Sequence, residues 1–232
     1  MATIDRLLVI WGEPKAGNRQ VIGHLTRSRT GEFHFWYEDD LADAQARGFK
    51  LLPQFPVHRR AGAPYSERYL FPLFAERIPA PTRLDAQSMM QRWGVTHLDD
   101  QFEVLARSGG IRATDRLELA EYRAPDDDLT RPLELRIASR RHIQDPAPIS
   151  IGDTLSLRSE PENPSDPRAV AVELEGQHAG YIPRQYTALI GGLLDRGEQL
   201  AAQVVRRLVV PEDVGKWVVA ISRLPSRTHP AA

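Results

Sequence analysis

The sequence predicts an α+β chain in two parts: a mixed β-sheet and helix domain followed by a small β-barrel with one or two helices. Three observations predict this. Short apolar alternations recur through residues 133–221, as strands with one buried face require. Residues 65–107 instead carry apolar side chains at helical spacing. Between the two regions lies Ala124-Pro125-Asp126-Asp127-Asp128-Leu129-Thr130-Arg131-Pro132, whose acidic run flanked by prolines reads as a linker. The expected boundaries are a first domain over 1–124, a linker over 125–132, a barrel over 133–224 and a disordered tail over 225–232.

The first domain opens on an apolar strand at residues 7–11. Residues 20–26 and 32–37 form a strand pair across a polar turn that ends in Gly31. Residues 41–47 form a short helix behind Asp39 and Asp40, and residues 49–55 are extended. Tyr69, Leu70, Leu73, Phe74 and Ile78 recur at helical spacing. A second helix follows Thr82 and runs through Trp93 with Gly94 as its C-cap, and a third runs from His97 to Arg107, stopping at Gly109-Gly110. Residues 117–122 alternate and close the domain as a strand.

In the second domain Leu133, Leu135 and Ile137 alternate with Glu134, Arg136 and Ala138. Residues 154–158, 169–174, 204–210 and 217–221 are further strands. Residues 185–196 form an amphipathic helix with Tyr186, Leu189, Ile190, Leu193 and Leu194 on one face. Several short strands with a helix or two fit a small barrel.

Composition bounds the chemistry. The 232 residues are 41% apolar and 26% charged, ordinary for a globular protein. Cysteine is absent, which excludes disulfide frameworks, cysteine-ligated zinc and thiol nucleophiles. No run approaches the ~20 apolar residues that span a bilayer, and the N-terminus lacks a basic n-region, so a cytoplasmic chain with no membrane partner is expected. Residues 1–130 carry 17 basic against 19 acidic side chains, and residues 131–232 carry 13 against 12. Neither half is basic enough to grip DNA by bulk charge, so nucleic-acid binding has to be local and modest. His24, His34, His58, His97, His142, His178 and His229 show no metal-ligand spacing, so neither a metal nor another cofactor is expected. No Ser-His-Asp arrangement, paired-carboxylate motif or phosphate-cradling loop stands out, and a non-enzyme is expected.

The run Glu162-Asn163-Pro164-Ser165-Asp166-Pro167-Arg168 is the most distinctive in the chain. Two prolines stiffen it, and Asn163 and Asp166 have short side chains that bond nearby backbone amides. It precedes the strand Ala169-Val170-Ala171-Val172 and, further on, Gly180-Tyr181-Ile182-Pro183. With Gly152-Asp153-Thr154-Leu155-Ser156-Leu157, and with the run extended back to Glu160-Pro161, these segments in this order resemble the HIRAN domain. That resemblance implies a small six-stranded barrel and a nucleic-acid-binding role, with the 3′-hydroxyl end of single-stranded DNA as the ligand in helicase-like members. Asp166 then matches the aspartate near the terminal hydroxyl, Asn163 a pocket-shaping loop residue and Arg184 a phosphate contact. Arg140 and Arg141 match the basic-aromatic pair of the same pocket, and Trp217 an aromatic that packs on a base. Tyr181 is a further candidate, because Gly180 and Pro183 fix its turn. Trp217 has a second reading as barrel core. The chain departs from the end-binding pattern at Ser165, where those members carry tyrosine, and at Arg141 or His142, where a second tyrosine is expected.

Residues 4–122 are similar to the N-terminal subdomain of HipA-type kinases. The resemblance rests on Val21-Ile22-Gly23-His24-Leu25, Gly31 to Tyr37, Phe74-Ala75-Glu76-Arg77-Ile78-Pro79 with Arg83, and Asp100 to Ala106 leading to Gly109-Gly110. No glycine-rich phosphate loop, paired lysine and glutamate, or catalytic-loop aspartate accompanies it. The resemblance therefore implies a protein-interaction module. One possible partner is a separate HipA-like kinase, which makes an antitoxin-like role the alternative to DNA binding.

Overall fold

The computed structural model describes residues 4–13, 18–95, 98–210 and 213–224. The chain divides into two compact units, Met1–Tyr122 and Arg123–Ala232.

The first unit is a five-stranded antiparallel sheet in the order β4-β3-β2-β1-β5. Its strands are β1 Arg6–Gly12, β2 Arg19–Arg27, β3 Phe33–Tyr37, β4 Tyr65–Glu67 and β5 Leu117–Glu121. Helices α1 Ala42–Ala46, α2 Pro72–Ala75, α3 Ala86–Trp93 and α4 Gln101–Ser108 accompany it. Leu7, Val9 and Trp11 alternate along β1 into one core, where Phe35 packs on Phe55 with ring centroids 4.2 Å apart. Gly23 is obligatory on β2, because a Cβ there would sit 2.4 Å from the Trp36 carbonyl oxygen.

Sequence and structure differ in two places here. Residues 49–55 were expected to be extended, yet they join no strand. They are held by Tyr37, whose hydroxyl accepts from the Leu52 amide at 2.8 Å and donates to the Phe55 carbonyl at 2.9 Å. The apolar recurrence over 69–78 gives four helical residues, starting with Pro72 at the helix N-terminus. Tyr69 stays 83% exposed while Tyr65 belongs to β4. The glycine stops do hold: Gly94 and Gly109 adopt left-handed φ of 66° and 75° at the ends of α3 and α4. His97 lies outside the described residues.

The second unit is a six-stranded sheet in the order β6-β11-β10-β7-β8-β9. The strands are β6 Leu133–Arg136, β7 Thr154–Glu160, β8 Ala169–Leu174, β9 Gln177–Tyr181, β10 Leu200–Val210 and β11 Asp213–Arg223. All neighbours are antiparallel. The sheet curls until the chain just past β6 meets β9 at an antiparallel bridge between Ala138 and Tyr181. The two residues exchange both backbone hydrogen bonds, at 2.8 and 3.0 Å. Helix α5, Arg184–Asp195, buries Tyr186, Leu189, Ile190 and Leu193, the face its spacing predicts. The α+β class and the barrel-like second half therefore stand. β9 was missed, because its sequence, Gln177-His178-Ala179-Gly180-Tyr181, shows no apolar alternation.

The stretch expected as a linker is folded within this unit. Arg123 pairs with Asp127 and donates to the carbonyls of Arg131 and Pro132. Asp127 and Asp128 each accept from the amide two residues on, and Leu129 is buried. The tail 225–232 lies outside the described residues.

Candidate nucleic-acid interface

The turn between β7 and β8 is built by its own side chains. Asn163 Oδ1 accepts from the amides of Ser165 and Asp166 at 3.0 and 3.3 Å, so one side chain replaces the backbone pairing that the prolines remove. Asn163 Nδ2 donates to Glu160 Oε2 at 2.9 Å and to the Tyr181 hydroxyl at 3.3 Å. That hydroxyl donates in turn to Glu160 Oε2 at 3.1 Å. The loop is thereby tied to the barrel-closing strand.

Asp166 lies at the outer end of this network. Its Oδ1 accepts from the Arg168 amide at 3.0 Å and its Oδ2 from Arg184 Nε at 3.1 Å. Partial burial pushes its carboxyl up, but the Arg168 amide, the Arg184 bond and both cations outweigh burial and hold it below its ordinary value. Glu160 follows the same pattern: partial burial pushes it up, while bonds from Asn163, Tyr181 and Arg158 bring it down. Tyr181 is raised, first by burial and then by its bond to the Glu160 carboxylate. Both carboxylates are therefore ionised at neutral pH, and the tyrosine is neutral.

Four of the expected residues, Asn163, Asp166, Tyr181 and Arg184, thus meet in one hydrogen-bonded cluster. Trp217 borders it through the backbone: the Ile137 amide donates to the Trp217 carbonyl at 2.9 Å, and the next residue, Ala138, bridges to Tyr181. Trp217 is partly exposed, with the Arg207 guanidinium 5.3 Å from its ring centroid. Arg140 stands in a 3-10 turn, Arg140–His142, and is directed at the backbone. It donates to the carbonyls of Ala179 at 3.0 Å and Ala147 at 2.5 Å, and burial lowers its pKa. The side chain of Arg141 lies outside the described residues. Glu160 belongs to the run that carries the resemblance but was not expected as a site residue, although its place three residues before Asn163 in a proline-bounded turn was a usable signal. Among the described residues no group of His, Asp and Glu could hold a metal ion, and no helix is long and apolar enough to cross a membrane.

Two known families match parts of the chain. Residues 132–216 match the HIRAN domain, and residues 16–113 match the HipA N-terminal domain. The HIRAN match thus falls within the second unit and the HipA N-terminal match within the first. Two solved structures are similar to part of this chain. The HIRAN domain of human HLTF is 15% identical, with a TM-score of 0.34, over 40% of this chain and 74% of that one. A protein from Lactobacillus plantarum is 22% identical, with a TM-score of 0.35, over 40% of this chain and 92% of that one. No curated protein matches the chain.

Proposed function

We propose that the HIRAN domain binds single-stranded DNA, at or beside a 3′ end, as a non-catalytic module, while the HipA N-terminal domain docks a protein. The HIRAN match supports DNA as the ligand. The observation that carries the finer reading is the pairing of Asp166 with Arg184 next to Tyr181. An ionised carboxylate accepts a hydrogen bond from a terminal hydroxyl, whereas a terminal phosphate would be repelled. Arg184 spends its Nε on Asp166 and is 62% exposed, which leaves its planar fork free to meet a backbone phosphate. Tyr181 and Trp217 supply aromatic surface, and base stacking on such a side chain is worth about 1–3 kcal/mol. In this reading Arg140 and Asn163 position the pocket, and Arg141 is a second phosphate contact.

The test is fluorescence anisotropy with labelled single strands ending in a 3′-hydroxyl or a 3′-phosphate. The hydroxyl strand should bind more tightly, and Asp166→Asn should erase the difference. Equal binding of both strands by the native chain removes the end-reading role of Asp166, and no binding removes the DNA reading.

The HipA N-terminal match favours a second reading, an antitoxin-like or regulatory partner of a HipA-like kinase. It predicts co-purification with a separately encoded kinase core and relief of that kinase's toxicity. Absence of both leaves the DNA reading alone.

A further inference from the structure

We infer that Arg168 joins Arg184 in a two-guanidinium clamp on a single backbone phosphate, with Asp166 as the residue that positions both. The inference rests on the single-stranded DNA reading above and adds a contact to it.

Asp166 is flanked by two guanidinium groups, Arg184 Nε at 3.1 Å from Oδ2 and Arg168 Nε at 4.0 Å from Oδ1. One carboxylate neutralises one of them, so the trio carries a net positive charge. The exposures fit a support beneath two arms: the Asp166 side chain is 18% exposed, Arg184 62% and Arg168 68%. Both backbones are fixed. Pro167 restricts the turn, and the Arg168 amide is bonded to Asp166. Arg184 is the first residue of α5, directly after Pro183. Two planar forks converging from rigid backbones match the several oxygens of a phosphate.

The adjacent network has the opposite balance. Arg158 is shared between Glu160 and Glu173, which leaves a net negative charge there. The net positive charge of Asp166, Arg168 and Arg184 thus stands beside a negative neighbour, which directs a phosphate to this trio.

The experiment is the salt dependence of anisotropy with labelled oligo-dT. Each phosphate contact on a single strand contributes about 0.7 to the slope of log K against log salt. Because both arms hold one phosphate, the Arg168→Ala, Arg184→Ala double variant should lower the slope by about 0.7 in all, and each single variant by part of that. Arg168→Lys keeps the charge and should keep the slope. Arg196→Ala, an exposed site at the far end of α5, should also keep it, which excludes a net-charge effect. Native-like binding and slope in Arg168→Ala, with a reduced slope in Arg184→Ala, would overturn the clamp and leave the DNA reading standing. No binding by the native chain would overturn both.

Discussion

The Tyr181 hydroxyl donates to Glu160 Oε2 at 3.1 Å, and that same oxygen accepts from Asn163 at 2.9 Å. A half-buried carboxylate thus couples the barrel-closing strand to the loop that carries Asp166. Removing its charge should be felt in both places.

Glu160→Gln should lower stability by about 1–2 kcal/mol at neutral pH, the scale of hydrogen bonds to a charged group. The sign of the pH dependence follows from its depressed pKa. Its stabilisation is complete above the ordinary value of 4.5 and is lost as pH falls through the lower folded value. Urea unfolding from pH 7 down to pH 3 should show the native chain and the variant converging at the acid end. A constant gap would refute the charge-based account.

Gly180→Ala should open the barrel. A Cβ at this position would lie 2.1 Å from Ile137 Cγ2 and 2.9 Å from the Ala138 carbonyl oxygen. The backbone φ of +152° adds strain for any side chain. Overpacking of this kind costs about 1–3 kcal/mol. Hydrogen exchange should show the amides of Ala138 and Tyr181 losing protection first, and unchanged protection there would contradict this view of the closure.

Arg77→Ala should unfold the first unit locally or entirely. Arg77 is buried and grips Asp115 through two nitrogens at 3.2 and 2.5 Å, with further bonds to the carbonyls of Leu73 and Gly110. Breaking a buried pair from one side costs about 3–5 kcal/mol. Arg77→Lys cannot make the forked contact and should recover part of that. A loss below about 1 kcal/mol would reduce the pair to a surface-like contact.

Tyr37→Phe should leave the Leu52 amide and the Phe55 carbonyl without their partner in the core, at about 1–3 kcal/mol. Burial, opposed by the Leu52 amide, pushes the Tyr37 pKa up from 10.0 to about 12. Its stabilisation is thus complete below pH 10 and fades as pH rises toward 12. An alkaline absorbance titration should show a late phenolate step that the variant lacks.

Much of this architecture was legible along the chain because it depends on neighbours in sequence. Alternation marked β6, consecutive apolar runs marked β8 and most of β1, and helical spacing marked the buried face of α5. Gly94 and Gly109 announced their helix ends, since a left-handed residue favours glycine. The run from Asn163 to Arg168 declared a stiff turn and carried the family likeness. Residues 49–55 misled for the converse reason: their apolar side chains serve the core from an irregular backbone that Tyr37 fixes from another strand.

By itself the sequence determined the α+β class, the order of the two families and the identity of the loop carrying Asn163 and Asp166. Short-range steric and hydrophobic patterns suffice for those. The tertiary structure decided that Tyr181 meets Ala138, that Glu160 reaches back to that tyrosine, and that Arg184 and Arg168 share one carboxylate. It also turned Arg140 onto the backbone. Such pairings depend on strand register and barrel curvature, where a shift of one residue sends every side chain to the opposite face.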